Sequence, residues 1–323
     1  MGDIYFERLQ AGAAAWESTN PIEGGDAELI MGLLAPRAGE ADYVAPEAST
    51  SDHRLPVAGG EFGVRVYRPL SERPRRSLLV WCHGGSFFSG DLDMHESDAV
   101  AREISARADA VVVAVDYRLA LGIHFPALHD DVVAAFDWAV DHADELGIDT
   151  GRISLGGASA GGNLAAGAAL ALRDRGGIQP VSTLLLYPLL HPVLPQASAE
   201  LGPKVACLSP MLQPSADLVE AVVENYIGAP ASKAPAYAMP GVSGDLTGFP
   251  RTLILNSEYD GMRASAEAFA EQLRRDGADV TEVVEPGVYH GHLGRGGGAP
   301  FLHSVAVMAE WLHRTREEHP AYE

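Results

Sequence analysis

From about residue 61 onward, short β-rich apolar runs alternate with longer segments of helical spacing. EFGVRVYR (61–68) alternates apolar and polar positions, the pattern of a strand with one face covered. SLLVWC (77–82), AVVVAVD (110–116), RISLGG (152–157), VSTLLLY (181–187) and RTLILN (251–256) are nearly continuous apolar runs. Such runs predict strands covered on both faces. DVTEVVE (279–285) alternates again and predicts an edge strand. Helical patterns fill the gaps, over 96–108, 127–146, 160–175, 263–276 and 300–316. This rhythm predicts an α/β domain with a mostly parallel central sheet flanked by helices.

Two stretches break the rhythm. Residues 1–50 hold helical pieces and no convincing strand. Residues 190–245 are rich in Pro, Ala and Ser, with one helical piece at 215–227. They read either as N-terminal helices and a long surface loop, or as a mainly helical cap over the carboxyl edge of the sheet. That edge is where open α/β sheets bind ligands. On the cap reading the chain divides into 1–50 (first part of the cap), 51–189 (core), 190–245 (cap insertion) and 246–323 (core).

Composition narrows the partners. Of 323 residues 47% are hydrophobic, enough for a large core. There are 23 basic and 44 acidic residues, a net charge of −21, which repels nucleic acid and anionic membranes. Cys82 and Cys207 make no disulfide framework. MGDIYFERLQ carries acids and no apolar run, unlike a secretory signal. No stretch reaches the roughly 18–20 apolar residues of a membrane helix. A cytoplasmic location is expected.

Candidate chemistry starts at GGASAGGNLA (157–166), between an expected strand and an expected helix. Gly157-Ala158-Ser159-Ala160-Gly161 fits G-x-S-x-G, the nucleophile elbow, in which a sharp turn holds the serine clear of the backbone. Side chains two positions either way would strike neighbouring backbone, hence the glycines. The amides opening the following helix favour a developing negative charge. The competing reading is a serine N-cap on a helix of small residues. His83-Gly84-Gly85-Ser86-Phe87 follows an expected strand, as the loop that lends a backbone amide to an oxyanion hole does. The residue after the serine, Ala160, lends another. A plain Gly-Gly turn is the alternative.

Together HGGSF (83–87), DYRLA (116–120), HFPA (124–127) with Asp130 after it, and SAGGNLA (159–165) resemble the hormone-sensitive lipase-like branch of the α/β-hydrolases, which includes many microbial carboxylesterases. The resemblance runs from about residue 61 to the C-terminus. It implies a cap from 1–50 and 190–245, and a triad in the chain order serine, acid, histidine. Asp260 in Glu258-Tyr259-Asp260 is similar to the family's E-x-D acid; Glu258 competes, and a helix-start charge is the plain reading of Asp260. His290 in His290-Gly291-His292 matches the family's H-G-F, with His292 where an aromatic is usual. A metal pair at His290 and His292 lacks further ligands nearby. The resemblance gives the amides of Gly85, Ser86 and Ala160 to the oxyanion, and loop support to His83 and Gly84.

Two positions depart from the family pattern. Ala158 replaces an aspartate, and Ser86 replaces the third glycine of H-G-G-G. Plant gibberellin receptors of the same broad family also carry H-G-G-S-F and lack the catalytic histidine. A non-catalytic small-molecule receptor is therefore one alternative, against which His290 counts; amide or peptide hydrolysis by the same triad is another. Gly294–Ala299 fits G-x-G-x-x-A but follows no expected strand, and reads as a pliant loop behind His290. Cys82 reads as a buried strand end. Trp16, Leu33, Leu34, Met211, Leu212 and Tyr226 are candidates for a substrate pocket. The expectation is a serine carboxylesterase for uncharged short- to medium-chain esters, with no cofactor or metal. A homodimer through DVTEVVE is the expected partner contact.

Overall fold

The apolar runs form the middle of an eight-stranded sheet. The structure is a computed structural model that describes residues 3–20 and 23–318. Residues 1, 2, 21 and 22 of the expected cap and 319–323 of the expected core lie outside the described residues. In chain order come α1 (Ile4–Glu17), α2 (Ala27–Leu34), β1 (Ser49–Val57), β2 (Gly60–Arg68), β3 (Arg76–Cys82), α3 (Asp98–Ala108) and β4 (Val111–Asp116). Then follow α4 (Ala127–Asp141), α5 (Ala143–Leu146), β5 (Ile148–Ala158), α6 (Ala160–Arg175), β6 (Ser182–Leu186), α7 (Leu201–Ala206) and α8 (Ala216–Ile227). The chain closes with β7 (Arg251–Tyr259), α9 (Arg263–Arg275), β8 (Val280–Tyr289) and α10 (Ala299–Glu318).

The strand order is β1-β2-β4-β3-β5-β6-β7-β8. β1 and β2 pair antiparallel, as do β2 and β4; every pairing from β4 to β8 is parallel. Alternation within the strands feeds two cores. Leu78, Val80, Cys82, Val111, Val113 and Val115 point to the side of α4, α6 and α9. Leu79, Trp81, Val112 and Ala114 point to the side of α3 and α10. The apolar runs are continuous because both faces are covered.

The structure differs from the sequence reading at three places. β1 was not expected, because in STSDHRLPV only Leu55 is buried. It is an edge strand of a hairpin, with one side open to solvent. The helical stretch 127–146 breaks at His142 into α4 and α5. The 190–245 stretch holds α7 as well as α8. β8 lies at the sheet edge, as DVTEVVE predicts. α1 packs along α8, and Trp16 Nε1 donates to the Pro210 carbonyl at 2.8 Å. These contacts bring the two irregular stretches together.

Candidate active site

β5 runs to Ala158, and the chain then turns sharply into α6. Ser159 at the turn has φ 52° and ψ −117°, a conformation that costs a non-glycine residue roughly 1–3 kcal/mol. The Ser159 amide donates to Leu186 O at 2.8 Å, so the turn stays tied to β6. Gly157 and Gly161 are needed for space. A Cβ on Gly157 would lie 2.4 Å from backbone atoms of Gly161, and one on Gly161 would lie 2.2 Å from Cys82 O and 2.3 Å from His83 O. Cys82 pairs with Gly157 across the parallel β3–β5 ladder. The segment after Cys82 therefore emerges beside Ser159.

His290 follows β8, and Asp260 follows the neighbouring β7. His290 Nε2 lies 2.9 Å from Ser159 Oγ, and His290 Nδ1 lies 2.7 Å from Asp260 Oδ2. The tautomer that satisfies both donates from Nδ1 to the carboxylate and accepts the serine hydroxyl at Nε2. The other Asp260 oxygen accepts the Met262 amide at 2.9 Å. Burial disfavours the charged imidazolium of His290. The charge and hydrogen bond of Asp260, with Glu96 adding to them, outweigh burial and hold its pKa above the ordinary histidine value. Glu258 points elsewhere: it accepts from Lys204 Nζ at 2.7 Å and from the Gly287 amide at 2.7 Å, joining α7 to β8.

The loop 83–87 is bent by three successive positive φ values, 117° at Gly85, 53° at Ser86 and 68° at Phe87. The amides of Phe88 and Ser89 turn back onto Gly85 O at 3.1 and 2.9 Å. Among the described residues the Gly85 and Ser86 amides donate to no protein acceptor. Ala160 opens α6, so no carbonyl one turn earlier takes its amide within the helix. His83 is fully buried; its Nδ1 donates to Gly84 O at 2.6 Å and its ring stacks on Tyr117 at 4.4 Å. The Tyr117 hydroxyl in turn donates to His83 O at 2.9 Å.

A cavity of about 340 Å³ opens over Ser159, between the loop 86–89, α1 and α8. Trp16 lines it. The other pocket candidates lie elsewhere. Tyr226 is fully buried one layer behind the wall, stacked on Phe87 at 4.1 Å with rings 3° apart. Leu33 is buried beside a separate small cavity with Arg37, Tyr289 and His292. Leu34, Met211 and Leu212 are half-buried and do not reach the cavity over Ser159. Its apolar wall comes instead from Leu189, Leu218, Val219, Val222 and Met262. The apolar face of 215–227 signals that α8 is packed. It does not say which turn of that face meets the cavity and which meets Phe87.

His292 and His290 do not converge on a metal. His292 Nδ1 meets Ser257 Oγ at 2.9 Å, and Nε2 meets Ser304 Oγ at 2.9 Å. Burial pushes the His292 pKa down to about 3. Below about pH 6.5 the unfolded chain therefore gains a proton that the folded chain refuses. Stability is lost from there toward pH 3 at about 1.4 kcal/mol per pH unit from this one group. His292→Gln keeps a donor and an acceptor without the titration. Urea unfolding between pH 6.5 and 4.5 is expected to show a shallower loss in the variant; equal slopes would contradict it. The stretch behind His290 is also less pliant than its glycines imply. Arg295 donates to Leu33 O at 3.0 Å, Ala35 O at 2.7 Å and Glu40 at 2.8 Å, which fastens it to the end of α2 and the segment after it.

Residues 79–294 match the family described as alpha/beta hydrolase fold. Esterase LipI of Mycobacterium tuberculosis is 34% identical over 262 residues, covering 80% of this chain and 79% of that protein. Carboxylesterase NlhH of the same species is 37% identical over 234 residues, covering 71% and 70%. Among solved structures, a hyperthermophilic esterase from the archaeon Pyrobaculum calidifontis superposes with a TM-score of 0.73 at 29% identity, over 96% of this chain and 92% of that one. With the elbow at Ser159 and this breadth of similarity, the chain belongs to the α/β-hydrolase fold family, in its hormone-sensitive lipase-like branch.

Proposed function

We propose that the protein is a serine carboxylesterase for uncharged esters of short to medium acyl chain. The observation that carries this reading is the hydrogen-bonded series Asp260–His290–Ser159, whose serine lies at the floor of a largely apolar cavity. The reaction follows from the groups. His290 takes the Ser159 proton as Oγ attacks the ester carbonyl, and Asp260 holds the tautomer and stabilises the imidazolium. The amides of Gly85, Ser86 and Ala160 receive the oxyanion; one such donor is worth about 10²–10³ in rate. His290 protonates the leaving alcohol. It then activates the water that cleaves the acyl-enzyme.

His83 and Gly84 support the loop that carries two of those amides. α1, α2 and the 190–245 stretch serve as the cap, with α1 and α8 closing the cavity over Ser159. Its volume falls low in the roughly 300–1,000 Å³ range of small-molecule sites, which favours modest acyl chains. Glu17 at the rim and the net charge of −21 disfavour anionic esters. A second copy pairing along β8 is the matching assembly, and sedimentation velocity reads it directly.

The test is a panel of p-nitrophenyl esters from acetate to palmitate, with matched aryl amides alongside. Turnover peaking at short to medium esters supports the reading. Faster turnover of the amides would replace it with an amidase. Tight binding of a small molecule without turnover would replace it with a receptor. Only neutral His290 can accept the serine proton, and its pKa is raised. The fall in kcat/KM toward acid pH is therefore expected to have its midpoint above about pH 6.5, measured between pH 5 and 9. A midpoint well below that value would contradict the Asp260–His290 pairing in solution.

A further inference from the structure

A buried carboxylate lies under this site with no part in the reaction above. Glu96 is 5% exposed, in the segment leading to α3. Its Oε2 accepts the Gly84 amide at 2.6 Å, and its Oε1 accepts the Tyr187 hydroxyl at 2.5 Å. Its own carbonyl takes the Trp81 indole N–H at 2.8 Å. The approach to Gly84 is close enough that a Cβ there would lie 2.5 Å from Oε2. Tyr187 is fully buried after β6, and its ring stands edge-on to His290 at 5.1 Å and to His292 at 5.2 Å.

These contacts join the two halves of the site. One arm of Glu96 holds the residue just before the amides of Gly85 and Ser86. The other arm holds the ring against which His290 rests. Among the described residues no Lys or Arg pairs with Glu96. A buried carboxylate without a cation is costly unless something offsets it. Of the nearby imidazoles, His83 and His292 both have pKa values lowered by burial. His290 is the one that becomes cationic during turnover.

We propose that Glu96 is a positioning residue that locks the oxyanion loop and the Tyr187 ring into one unit, and whose buried charge stabilises the His290 imidazolium formed as Ser159 attacks. The proposal rests on the serine esterase reading. The charged and titratable groups acting on His290 are Asp260 from the β7–α9 turn, in direct contact, Glu96 before α3 from behind the Tyr187 ring it holds, and His292 on the same turn, with Arg37 acting on His292. Removing the Glu96 charge lowers the pKa of His290, because a favourable neighbour of the charged form is lost.

Glu96→Gln separates charge from geometry. Its amide oxygen still accepts from Gly84, and its amide nitrogen donates to the Tyr187 oxygen. Active sites are counted with a phosphonate inhibitor, so that rates refer to folded enzyme. Per site, kcat is expected to fall about tenfold with KM within about twofold. The acid limb of kcat/KM moves to lower pH by on the order of half to one unit. An NMR titration of the His290 ring should show the same shift and needs no turnover. Glu96→Asp keeps the charge but is too short to hold both partners. It should keep the wild-type acid limb while kcat falls about threefold to tenfold, and it carries the test if the glutamine variant does not fold. Wild-type kcat and acid limb in Glu96→Gln, or wild-type kcat in Glu96→Asp, would overturn the proposal, even with a lowered melting temperature. Wild-type enzyme and Ser159→Ala run alongside. If wild-type protein hydrolyses no ester, the esterase reading falls, and the His290 titration alone decides whether Glu96 acts on the imidazole.

Discussion

Ser159→Ala is expected to lower kcat on a short-chain p-nitrophenyl ester by on the order of 10⁵–10⁶-fold, with the fold unchanged. Triad members act as a unit, so losing the nucleophile costs nearly as much as losing all three. What remains is the rate the oxyanion amides and binding supply to attack by water, about 10³–10⁴ over solution. The fold should tolerate the change. The Ser159 hydroxyl meets His290, while the turn is held by the Ser159 amide on Leu186 O and by the glycines around it. Alanine keeps the same Cβ, so the positive φ is no harder to hold. Steady-state kinetics and phosphonate labelling of intact protein read the result. A variant keeping more than about one part in a thousand of wild-type kcat would exclude Ser159 as the nucleophile.

Gly161→Ala is expected to damage both stability and turnover. The added methyl would lie 2.2 Å from Cys82 O and 2.6 Å from Cys82 C, with His83 O at 2.3 Å. These are backbone atoms at the end of a central strand, so no side chain can swing aside. Either α6 shifts and carries Ser159 and Ala160 with it, or β3 shifts and carries the oxyanion loop. Overpacking of this kind costs about 3 kcal/mol. For a chain of this size that is roughly 4–5 °C in melting temperature. Displacing nucleophile and oxyanion amides relative to each other is expected to cost a further hundredfold or so in kcat. Gly32→Ala is the matched control. Gly32 lies inside α2 with nothing within 4 Å of the added atom, and alanine there should stabilise by about 0.5–1 kcal/mol. Calorimetry and kinetics on both variants check the pair. Equal melting temperatures would mean that the close approach at Gly161 is absent in solution.

The legible parts of this chain were those written in consecutive residues. Seven of the eight strands stood out as apolar or alternating runs. β1 did not, because a hairpin edge with one buried side chain, Leu55, carries no period strong enough to read. The close approach at the elbow was legible for the same local reason: a turn that forbids side chains at two flanking positions leaves glycines there.

The candidate pocket residues are spread over several places: Trp16 lines the cavity over Ser159, Tyr226 backs Phe87, and Leu33 sits beside another cavity. An apolar helix face shows that a residue is covered, not by what. Likewise Glu258 and Asp260 stand two residues apart and look alike in the sequence. Residues two apart on a regular strand would share a face, but the β7–β8 register shifts between Ser257 and Tyr259 and Asp260 lies past the strand end, so Glu258 faces Lys204 and Asp260 faces His290.

The amino-acid order alone determined the α/β rhythm, the turn at Ser159 and the bent loop at 83–87, since each is enforced by sterics and periodicity among near neighbours. Only the tertiary structure decided that β7 and β8 would bring Asp260 and His290 to that turn. Only it placed α8 as the wall of the cavity, and only it set Glu96 beneath Gly84 and Tyr187. Those partners are 12 to 131 residues apart or sit on elements whose adjacency is a property of the sheet order. No local pattern encodes it. It follows from burying two apolar faces of one sheet at once.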